Sequence, residues 1–339
     1  MKHLSRPWWT WVLLLALGML WMLPTSNAHA DVSCQVVDAP NINFGTVDGL
    51  IATANDSASN NVSWNCSNTE FSTAYVTLCL NIGAGSGGTG GGGRVMSTTS
   101  GQDLAYQLYQ DAAHQVIWGS LLSSANPNPL MRKFTVPAAS ITGFFNVTPG
   151  HATGNATLFG QILLGQMGVT AGSYSSAFSG NDAMFSGTYS TGFGTFPATC
   201  GSANAGSFSF TVSANVNKTC NVSADTLTFP ATGVLDGVVD STTTVHTQCT
   251  NGTSYQIGLD NGRNASGTRR MAGGGEFINY ELYKDASRST RWGNTYGADT
   301  VAATGNGAVQ NVTVYGRVPA QTTPGAGTYS DTITVSVYY

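Results

Sequence analysis

The chain has 339 residues, with 13 lysine and arginine side chains against 17 aspartate and glutamate side chains, and only 9% of its residues are charged. A weakly acidic chain with scattered basic residues argues against nucleic-acid binding, which needs a basic surface. The sequence therefore predicts no nucleic-acid partner. Its length allows two domains.

Residues 1–30 are typical of a secretory signal peptide. Two basic residues open the chain, an apolar run follows over residues 8–23, and Ala28-His29-Ala30 fits a cleavage site. The alternative is a membrane anchor, but the run is shorter than a comfortable span. The predicted mature chain starts at Asp31, carries 11 basic and 17 acidic residues, and is exported.

The mature sequence contains the same module twice. The two copies share a YxLYxD strand followed by WG, an upstream Arg-x-Met, and an AG-x-YS segment, all in the same order. Matching motifs of the two copies are separated by a large and nearly constant number of residues, which indicates a tandem domain duplication rather than a solenoid. The matched segments are 104–119 with 278–293, 171–178 with 326–333, and Arg94 and Met96 with Arg269 and Met271.

Both copies are strand-like throughout. Residues 62–66, 75–82, 105–109 and 207–216 alternate or are rich in β-branched and aromatic residues, with Gly, Asn, Ser and Thr clusters between them. No segment shows a convincing apolar stripe at helical spacing. Many short strands with glycine-rich turns predict an all-β fold of antiparallel β-sandwiches.

The last stretch, GTYSDTITVSVYY at 327–339, predicts a strand with one buried face. An apolar edge beyond it invites pairing, so we expect a partner strand there. The first copy continues into SFSFTVSANV at 207–216, and the second copy lacks this strand. We therefore predict a self-complete first domain at 31–216 and an incomplete second domain at 217–339. The residues expected to flank the open groove are Ile333, Val335, Val337 and Tyr339.

Six cysteines in an exported chain favour disulfides, and the absence of any CxxC spacing argues against zinc and redox sites. Six cysteines allow fifteen connectivities. The repeat is the reason to prefer one of them, since its two copies each place a cysteine pair at the start of the domain. The preferred pairs are Cys34–Cys66 and Cys220–Cys249. The two cysteines left over, Cys79 and Cys200, then pair with each other.

These features resemble the spore coat protein U family, the subunit domain of archaic (Csu-type) chaperone–usher pili. The matching residues are the cysteine near each domain start, the YxLYxD strand with WG, and the terminal GxYSDTITVxVxY strand. The resemblance implies immunoglobulin-like sandwiches, the second lacking one strand. It also implies three partners, namely a periplasmic chaperone, an outer-membrane usher, and a neighbouring subunit that donates its N-terminal strand.

Two-domain members of that family resemble tip adhesins, located at the cell surface. Only three residues precede Cys34 in the predicted mature chain. Since a pairing strand needs about 5–6 residues, we expect this subunit to accept a strand but to donate none, and so to end a fibre.

Three functions are compatible with these features. An adhesin that attaches cells to abiotic or host surfaces and promotes biofilm formation should carry apolar residues in loops. The alternatives are a lectin-like adhesin and a purely structural cap or assembly initiator. Apolar residues do occur in segments inserted into the first copy, and a shared exposed patch of them would mark a binding surface. These candidates are Leu121, Leu122, Leu130, Met131, Phe144, Phe145, Val147, Met184, Phe185, Phe193 and Phe196.

No enzymatic constellation is evident. The sequence GAGSGG at 83–88 matches GxGxxG without a following helix, and no GxSxG occurs. His114, His151 and His246 lack metal-ligand spacing, and no carboxylate pair suggests glycan hydrolysis. The sequence predicts no catalytic residue, cofactor or metal.

Overall fold

The structure is a computed structural model that describes residues 32–50, 55–143, 146–192 and 194–339. The predicted signal peptide and three candidate loop residues, Phe144, Phe145 and Phe193, lie outside these ranges. Within them the regular structure is β, apart from one 3-10 turn at Gly180–Asp182. None of the described segments forms a helix long and apolar enough to span a membrane. The all-β prediction is confirmed.

Fifteen strands build the first domain. The larger sheet has the order β1-β3-β11-β7-β6-β12-β15-β2, with β5 paired to β6, and the smaller has the order β14-β13-β4-β8. Strands β9 and β10 pair only with each other. The strands are β1 (Val32–Asp38), β2 (Ile42–Asp48), β3 (Asn55–Asn68), β4 (Ala74–Ile82), β5 (Thr89–Gly90), β6 (Gly93–Ser97), β7 (Asp103–Tyr109), β8 (Leu130–Val136), β9 (Ser140–Thr142), β10 (Asn146–Thr148), β11 (Gly150–Ile162), β12 (Gly172–Phe178), β13 (Ala183–Thr191), β14 (Gly206–Ser207) and β15 (Phe210–Asn217).

Eight strands build the second domain. One sheet has the order β16-β17-β22-β20-β19 and the other has the order β21-β18-β23. No sheet in the described ranges combines strands of both domains. The strands are β16 (Cys220–Ala224), β17 (Val239–Cys249), β18 (Ser254–Leu259), β19 (Arg269–Gly273), β20 (Glu276–Tyr283), β21 (Val301–Thr304), β22 (Val309–Val318) and β23 (Val335–Tyr338).

Each domain encloses its own apolar core between two sheets. The alternation of strand β15 shows how the sequence sets the inward face, because Phe210, Val212, Ala214 and Val216 are buried while the residues between them are more accessible. Side chains on one face of a strand recur every second residue, so this pattern places one complete apolar face against the core.

A buried arginine holds the same position in both cores. Arg94 donates from Nε to Gly83 O at 2.6 Å and from Nη2 to Ile82 O and Trp118 O, and it also bonds Gln107. Arg269 repeats these bonds with the carbonyls of Asp260, Leu259 and Trp292, and it pairs with Glu281. Burial lowers the pKa of Arg94 to about 10, which still leaves it charged at neutral pH. Each guanidinium therefore ties together segments that are distant in sequence.

The structure contains the three disulfides preferred from the repeat, Cys34–Cys66, Cys79–Cys200 and Cys220–Cys249. Two of them join adjacent strands at the start of each domain. The third links β4 to the segment that follows β13. In that segment Pro197 O accepts the Thr77 hydroxyl at 2.7 Å, and the Phe196 ring lies edge-on to Tyr75 at 5.4 Å. This disulfide therefore fastens residues 194–200 across the outer face of the smaller sheet.

The two domains also touch beyond their linker. Asn251 Nδ2 donates to Gly168 O at 2.6 Å, and Asn251 forms an isolated bridge with Thr170. Thr250 Oγ1 accepts the amide of Thr219 at 3.0 Å. The loop after β11 and the short linker therefore restrain the two domains together.

We predict that replacing Cys79 and Cys200 together with alanine lowers the stability of the first domain by about 2–5 kcal/mol, because the disulfide closes a long loop. Urea unfolding followed by tryptophan fluorescence measures this change. The double Cys220→Ala/Cys249→Ala variant serves as a control, since it should leave the first domain's transition unchanged. An unchanged first-domain transition in the Cys79/Cys200 variant would contradict a structural role for this disulfide.

Candidate functional site: an open groove in the second domain

The first domain shows what a complete module looks like. Strand β15 lies between β12 and β2, pairing antiparallel with β12 and parallel with β2. Its buried side chains close the core along that side. We call β2 and β12 the two walls of this filled position.

The second domain has the same two walls. Residues 327–333 repeat the sequence of β12, and packing identifies residues 227–232 as the counterpart of β2. A Cβ on Gly160 would approach the Phe44 ring to 2.8 Å, and a Cβ on Gly316 would approach Leu227 to 2.7 Å and the Phe229 ring to 3.0 Å. Phe44 lies edge-on to Tyr106, as Phe229 does to Tyr280. Leu227 and Phe229 therefore stand where Ile42 and Phe44 stand in the first domain.

No described strand lies between these walls in the second domain. Instead there is an open cavity of about 770 Å³, which we call the acceptor groove. Its floor is made of core side chains from both sheets. The groove is lined by residues 224–232 and 327–333 and by Leu235, Val239, Thr243, Val245, Leu259, Met271, Ile278, Tyr280, Leu282, Val314, Val318 and Val335.

Equivalent side chains show the effect of the absent strand. Met96, Leu104 and Phe178 are fully buried in the first domain, at 0–1% exposure. Their counterparts Met271, Ile278 and Ile333 are only partly buried. The two sets belong to the same repeat and the same chain, so the difference follows from the strand that covers one set. The second domain leaves apolar core surface accessible along the groove.

Hydrogen bonds fix the groove wall formed by the terminal segment. Asp331 accepts the Arg263 amide at 3.0 Å and the Tyr280 hydroxyl at 2.9 Å. Burial, followed by the hydrogen bond to Asp331, raises the pKa of Tyr280 well above its usual value, so the phenol remains a donor at neutral pH. The Tyr329 hydroxyl donates to Gly325 O at 2.8 Å. The wall is therefore held in place although its outer edge is unpaired.

The structure places the predicted flanking residues in and beyond this wall, and corrects the extent of the strand. Ile333 and Val335 line the groove, and Val337 packs on the same core, whereas Tyr339 is 58% exposed and lines a neighbouring cleft. The predicted strand from Tyr329 is wrong in length, because the regular strand spans only Val335–Tyr338. Residues 329–334 lack a ladder since only one bridge, Ala272 with Ser330, joins them to a neighbour.

Three of the predicted surface-binding residues are not on the surface. Leu130, Met184 and Phe185 were expected in exposed loops, but they lie at the starts of β8 and β13 and are buried. They pair across β4, where Leu80 faces both Leu130 and Phe185 and Asn81 faces Met184. A binding role at the surface is therefore wrong for these three side chains, which belong to the first domain's interior.

The remaining candidates fall into separate places. Leu121 and Leu122 are exposed beside the Asn81 end of β4, where the Leu121 amide donates to Asn81 Oδ1 at 2.9 Å. Met131 is exposed on the edge strand β8. Val147 is exposed on β10, and Phe196 is half-buried against Tyr75.

Two exposed apolar residues, one on the β9–β10 hairpin and one in a turn bonded to its base, escaped the sequence analysis. Ile141 is the direct cross-strand partner of Val147, and the two side chains are 63% and 49% exposed. Phe71, at 62% exposure, lies in the turn between β3 and β4. Glu70 O in that turn accepts the Ala139 amide at 2.7 Å, which joins the turn to the base of the β9–β10 hairpin. We call Phe71, Ile141 and Val147 the distal apolar patch.

Strand β11 separates this patch from the second domain. It begins at Gly150, directly after β10, and ends at Ile162, before the loop that contacts Asn251. Thirteen residues at about 3.3 Å each span roughly 40 Å. The distal apolar patch and the interdomain contact therefore lie at opposite ends of the first domain.

Comparisons with known proteins match this architecture. The family model of the Spore Coat Protein U domain matches residues 21–180 and 207–336. Protein U of Myxococcus xanthus is 33% identical over 88 residues, 26% of this chain and 45% of that protein. The chain thus spans less than half the length of this curated relative.

Among solved structures, a chain of the CsuC–CsuE chaperone–tip adhesion subunit pre-assembly complex from archaic chaperone–usher Csu pili of Acinetobacter baumannii shares the fold. It has a TM-score of 0.51 at 20% identity, over 91% of this chain and 100% of that chain. The CupB6 tip adhesin of Pseudomonas aeruginosa has a TM-score of 0.29 at 11% identity, over 90% of this chain and 91% of that one.

The contact of Asp260 with the terminal segment generates a pH prediction. Burial alone would raise the pKa of Asp260, but hydrogen bonds from Thr334 and Gly262 and the charge of Arg269 outweigh burial and lower it. A carboxylate with a lowered folded-state pKa contributes stability above its unfolded value, near 3.9, and this contribution is lost as pH falls through the folded value. We expect Asp260→Asn to be less stable than the wild type at pH 7, by about 1 kcal/mol.

The difference between the two proteins should shrink as the pH falls through the lowered pKa of Asp260, because the wild-type side chain then becomes protonated. Urea unfolding of the second domain between pH 7 and pH 2.5 measures it. Asp236→Asn, on the exposed loop next to Leu235, is the matched control and should follow the wild type. A difference for Asp260→Asn that is independent of pH would contradict the role given to the carboxylate.

Proposed function

The chain belongs to the Spore Coat Protein U domain family, and we propose that it is the tip adhesin of a chaperone–usher pilus. In this proposal the second domain joins the fibre by accepting a strand in its acceptor groove. The first domain attaches the cell to surfaces and promotes biofilm formation. The protein is exported through the periplasm and has no enzymatic activity.

The observation that carries this proposal is the contrast between two copies of one module. The first copy holds strand β15 between its walls, and the second leaves the equivalent position open over an apolar floor. An exposed apolar groove with an unpaired strand edge is unfavourable in water and is suited to strand addition. A partner strand would satisfy the free edge and cover the floor at once.

The proposal implies three partners for the second domain. A periplasmic chaperone fills it before assembly, an outer-membrane usher receives the complex, and the neighbouring subunit then replaces the chaperone with its own strand. The solved complex that shares this fold joins a chaperone with a tip adhesion subunit, and we carry that pairing to this chain. The self-complete first domain needs no such partner.

The distal apolar patch is the proposed contact with the surface. Its three side chains are exposed at the end of the first domain farthest from the groove, and a cluster of exposed apolar side chains marks an interaction site more often than an isolated one does. Contact with an apolar surface removes their area from water at about 25 cal/mol per Å². Many pili on one cell add their weak contacts together.

For the groove, we predict that Ile333→Asp abolishes copurification with the chaperone and the appearance of pili, because it places a charge on the strip that a partner strand must cover. Thr332→Asp is the matched control, since Thr332 is exposed and adjacent. Formation of the Cys220–Cys249 disulfide, determined by mass mapping, reports whether the second domain still folds. Equal chaperone binding by both variants would contradict a role for the groove.

For attachment, we predict that the triple variant Phe71→Ser/Ile141→Ser/Val147→Ser keeps normal pili but attaches to polystyrene at least about tenfold less, since each lost contact weakens every tip. Pilus counts by electron microscopy and counts of attached cells under flow measure the two quantities separately.

The control is Leu121→Ser/Leu122→Ser, which removes an exposed apolar pair at the other end of β4. This variant should attach normally. Normal attachment by the triple variant would reject the distal apolar patch as the contact. Loss of attachment by the leucine variant alone would assign the contact to Leu121 and Leu122.

A further inference from the structure

A second cavity of the second domain, of about 750 Å³, opens on the outer face of the β21-β18-β23 sheet beside the interdomain linker. We call it the tyrosine cleft, and we propose that it binds a β-1,4-linked glucan chain. The tyrosine cleft shares no lining residue with the acceptor groove. The proposal therefore stands apart from strand addition at the groove and from the distal apolar patch.

The first domain covers the equivalent face of its own sheet. The tryptophan indoles of the two modules donate to Leu80 O and Ile257 O, which aligns β4 with β18. One position earlier in each strand, Cys79 is fully buried and its disulfide fastens residues 194–200 across the face, whereas Gln256 is only partly buried. Among the described residues, no equivalent of that segment covers the second domain. The face that one module closes is thus accessible in the other.

The lining of the tyrosine cleft combines aromatic faces with hydrogen-bonding groups. Among the described residues that line it there is no leucine, isoleucine, valine, methionine or phenylalanine, although the acceptor groove is rich in aliphatic side chains. An apolar protein segment would bury these polar groups without partners. The side chains that the argument uses are those of Tyr296, Tyr338, Tyr339, Ser254, Gln256 and Thr304.

A sugar ring matches such a lining. The face of a tyrosine ring carries partial negative charge, and the C–H bonds on the faces of a pyranose ring carry partial positive charge, so the two stack. The hydroxyl groups around the rim of the sugar donate and accept hydrogen bonds at the same time. Serine, threonine and glutamine side chains can both donate and accept hydrogen bonds. The tyrosine cleft therefore suits a ligand with apolar faces and a polar edge.

The exposed ring of Tyr296 is held in place before any ligand arrives. Gln256 Oε1 accepts the Gly297 amide at 2.9 Å, and the Tyr338 hydroxyl donates to Asn294 Oδ1 at 3.0 Å. Both bonds fix the loop that carries Tyr296, whose ring lies edge-on to Tyr338 at 5.8 Å and is 66% exposed. A side chain ordered in this way loses little conformational freedom on binding.

The floor of the tyrosine cleft favours an extended chain. Gln256 lies between Tyr338 and Ala302 on the neighbouring strands, and Ser254 lies opposite Thr304 in the next row. Strands spaced about 4.8 Å apart make this floor roughly 10 Å wide, and the small side chains leave it open. A β-1,4-linked glucan is an extended ribbon with C–H bonds on both faces of each ring, whereas an α-1,4-linked glucan coils. The flat floor therefore favours the β-linked chain.

The charge of the tyrosine cleft favours an uncharged chain. Lys218 is the one charged side chain among the described residues that line it, and no aspartate or glutamate side chain is among them. One exposed cation gives little attraction for a polyanion. Its ammonium group has three donors, which fit the hydroxyl oxygens of a neutral sugar.

The experiment titrates the purified chain, without its predicted signal peptide, with cellohexaose and follows the sugar resonances by NMR. We expect saturable binding with a Kd of about 1 mM or below, and weaker binding of maltohexaose. Tyr296→Ala should weaken the binding of cellohexaose roughly tenfold because it removes the stacking face. Tyr296→Phe keeps that face and should bind as the wild type does.

The matched control is Phe277→Ala, which removes an exposed aromatic ring of the same domain that does not line the tyrosine cleft. It should bind cellohexaose as the wild type does. Thermal unfolding of each variant reports whether the second domain keeps its fold. All these measurements use the chain in solution, so they are independent of pilus assembly and of cell attachment.

Several results would overturn the proposal. Absence of cellohexaose binding up to about 10 mM would reject the glucan site. Equal binding by Tyr296→Ala, or an equal loss with Phe277→Ala, would place the sugar elsewhere on the chain. Equal binding of maltohexaose would reject the choice of an extended chain. Binding of a poly-L-proline peptide that Tyr296→Ala weakens, without binding of cellohexaose, would assign the tyrosine cleft to a peptide instead.

Discussion

The stability of the second domain is limited by the position between the two walls of the acceptor groove, which no described strand fills. In the first domain that position is filled by β15, which buries four apolar side chains, and Phe208 just before it is a fifth. At about 1.5–3 kcal/mol for a large apolar side chain, these contribute on the order of 10 kcal/mol. The net stability of a domain is about 5–15 kcal/mol. The contribution of such a strand is therefore comparable to the whole stability of the module, and in the proposed function the partner that supplies it stabilises the second domain.

Several contacts stabilise the second domain without a strand in the groove. They are the hydrogen bonds of the buried Arg269, the bond of the Trp292 indole to Ile257 O, and the Cys220–Cys249 disulfide. The two copies differ at the arginine's partner. Arg94 bonds the neutral Gln107, whereas Arg269 pairs with Glu281, which also pairs with Arg291. These ion pairs join β19, β20 and the segment after β20 that contains Arg291. The wall at residues 329–334, by contrast, contributes only one bridge.

The sequence predicted those parts of the molecule that a repeat can reveal. Alternation identified the strands, the shared order of the motifs aligned the two modules, and the unmatched segment 207–216 indicated which module is complete. The solvent exposure of individual side chains was harder to predict. Met184-Phe185 stands among glycines and serines and suggests a loop, yet it pairs with β4 in the sheet. Phe71 is a single aromatic residue in a polar turn, and its exposure depends on how that turn docks against Ala139. No local periodicity encodes such a contact.

In the proposed function, the two domains divide the requirements of an adhesin in a way that the duplication makes possible. A surface that meets the outside must keep its shape before and after assembly, so it belongs on a module whose strand is already in place. The connection to the fibre must be strong but must form only during assembly, so it belongs on a module that receives its strand from another subunit. The contact surface and the joint must also stand apart, and β11 provides that separation within the first domain. Because the Asn251 side chain donates a hydrogen bond to the Gly168 carbonyl in the loop after β11, a load on the distal apolar patch would pass into the second domain through this contact as well as through the linker. Strand β11, which follows the hairpin that carries Ile141 and Val147, thus leads to the contact that would transmit the load.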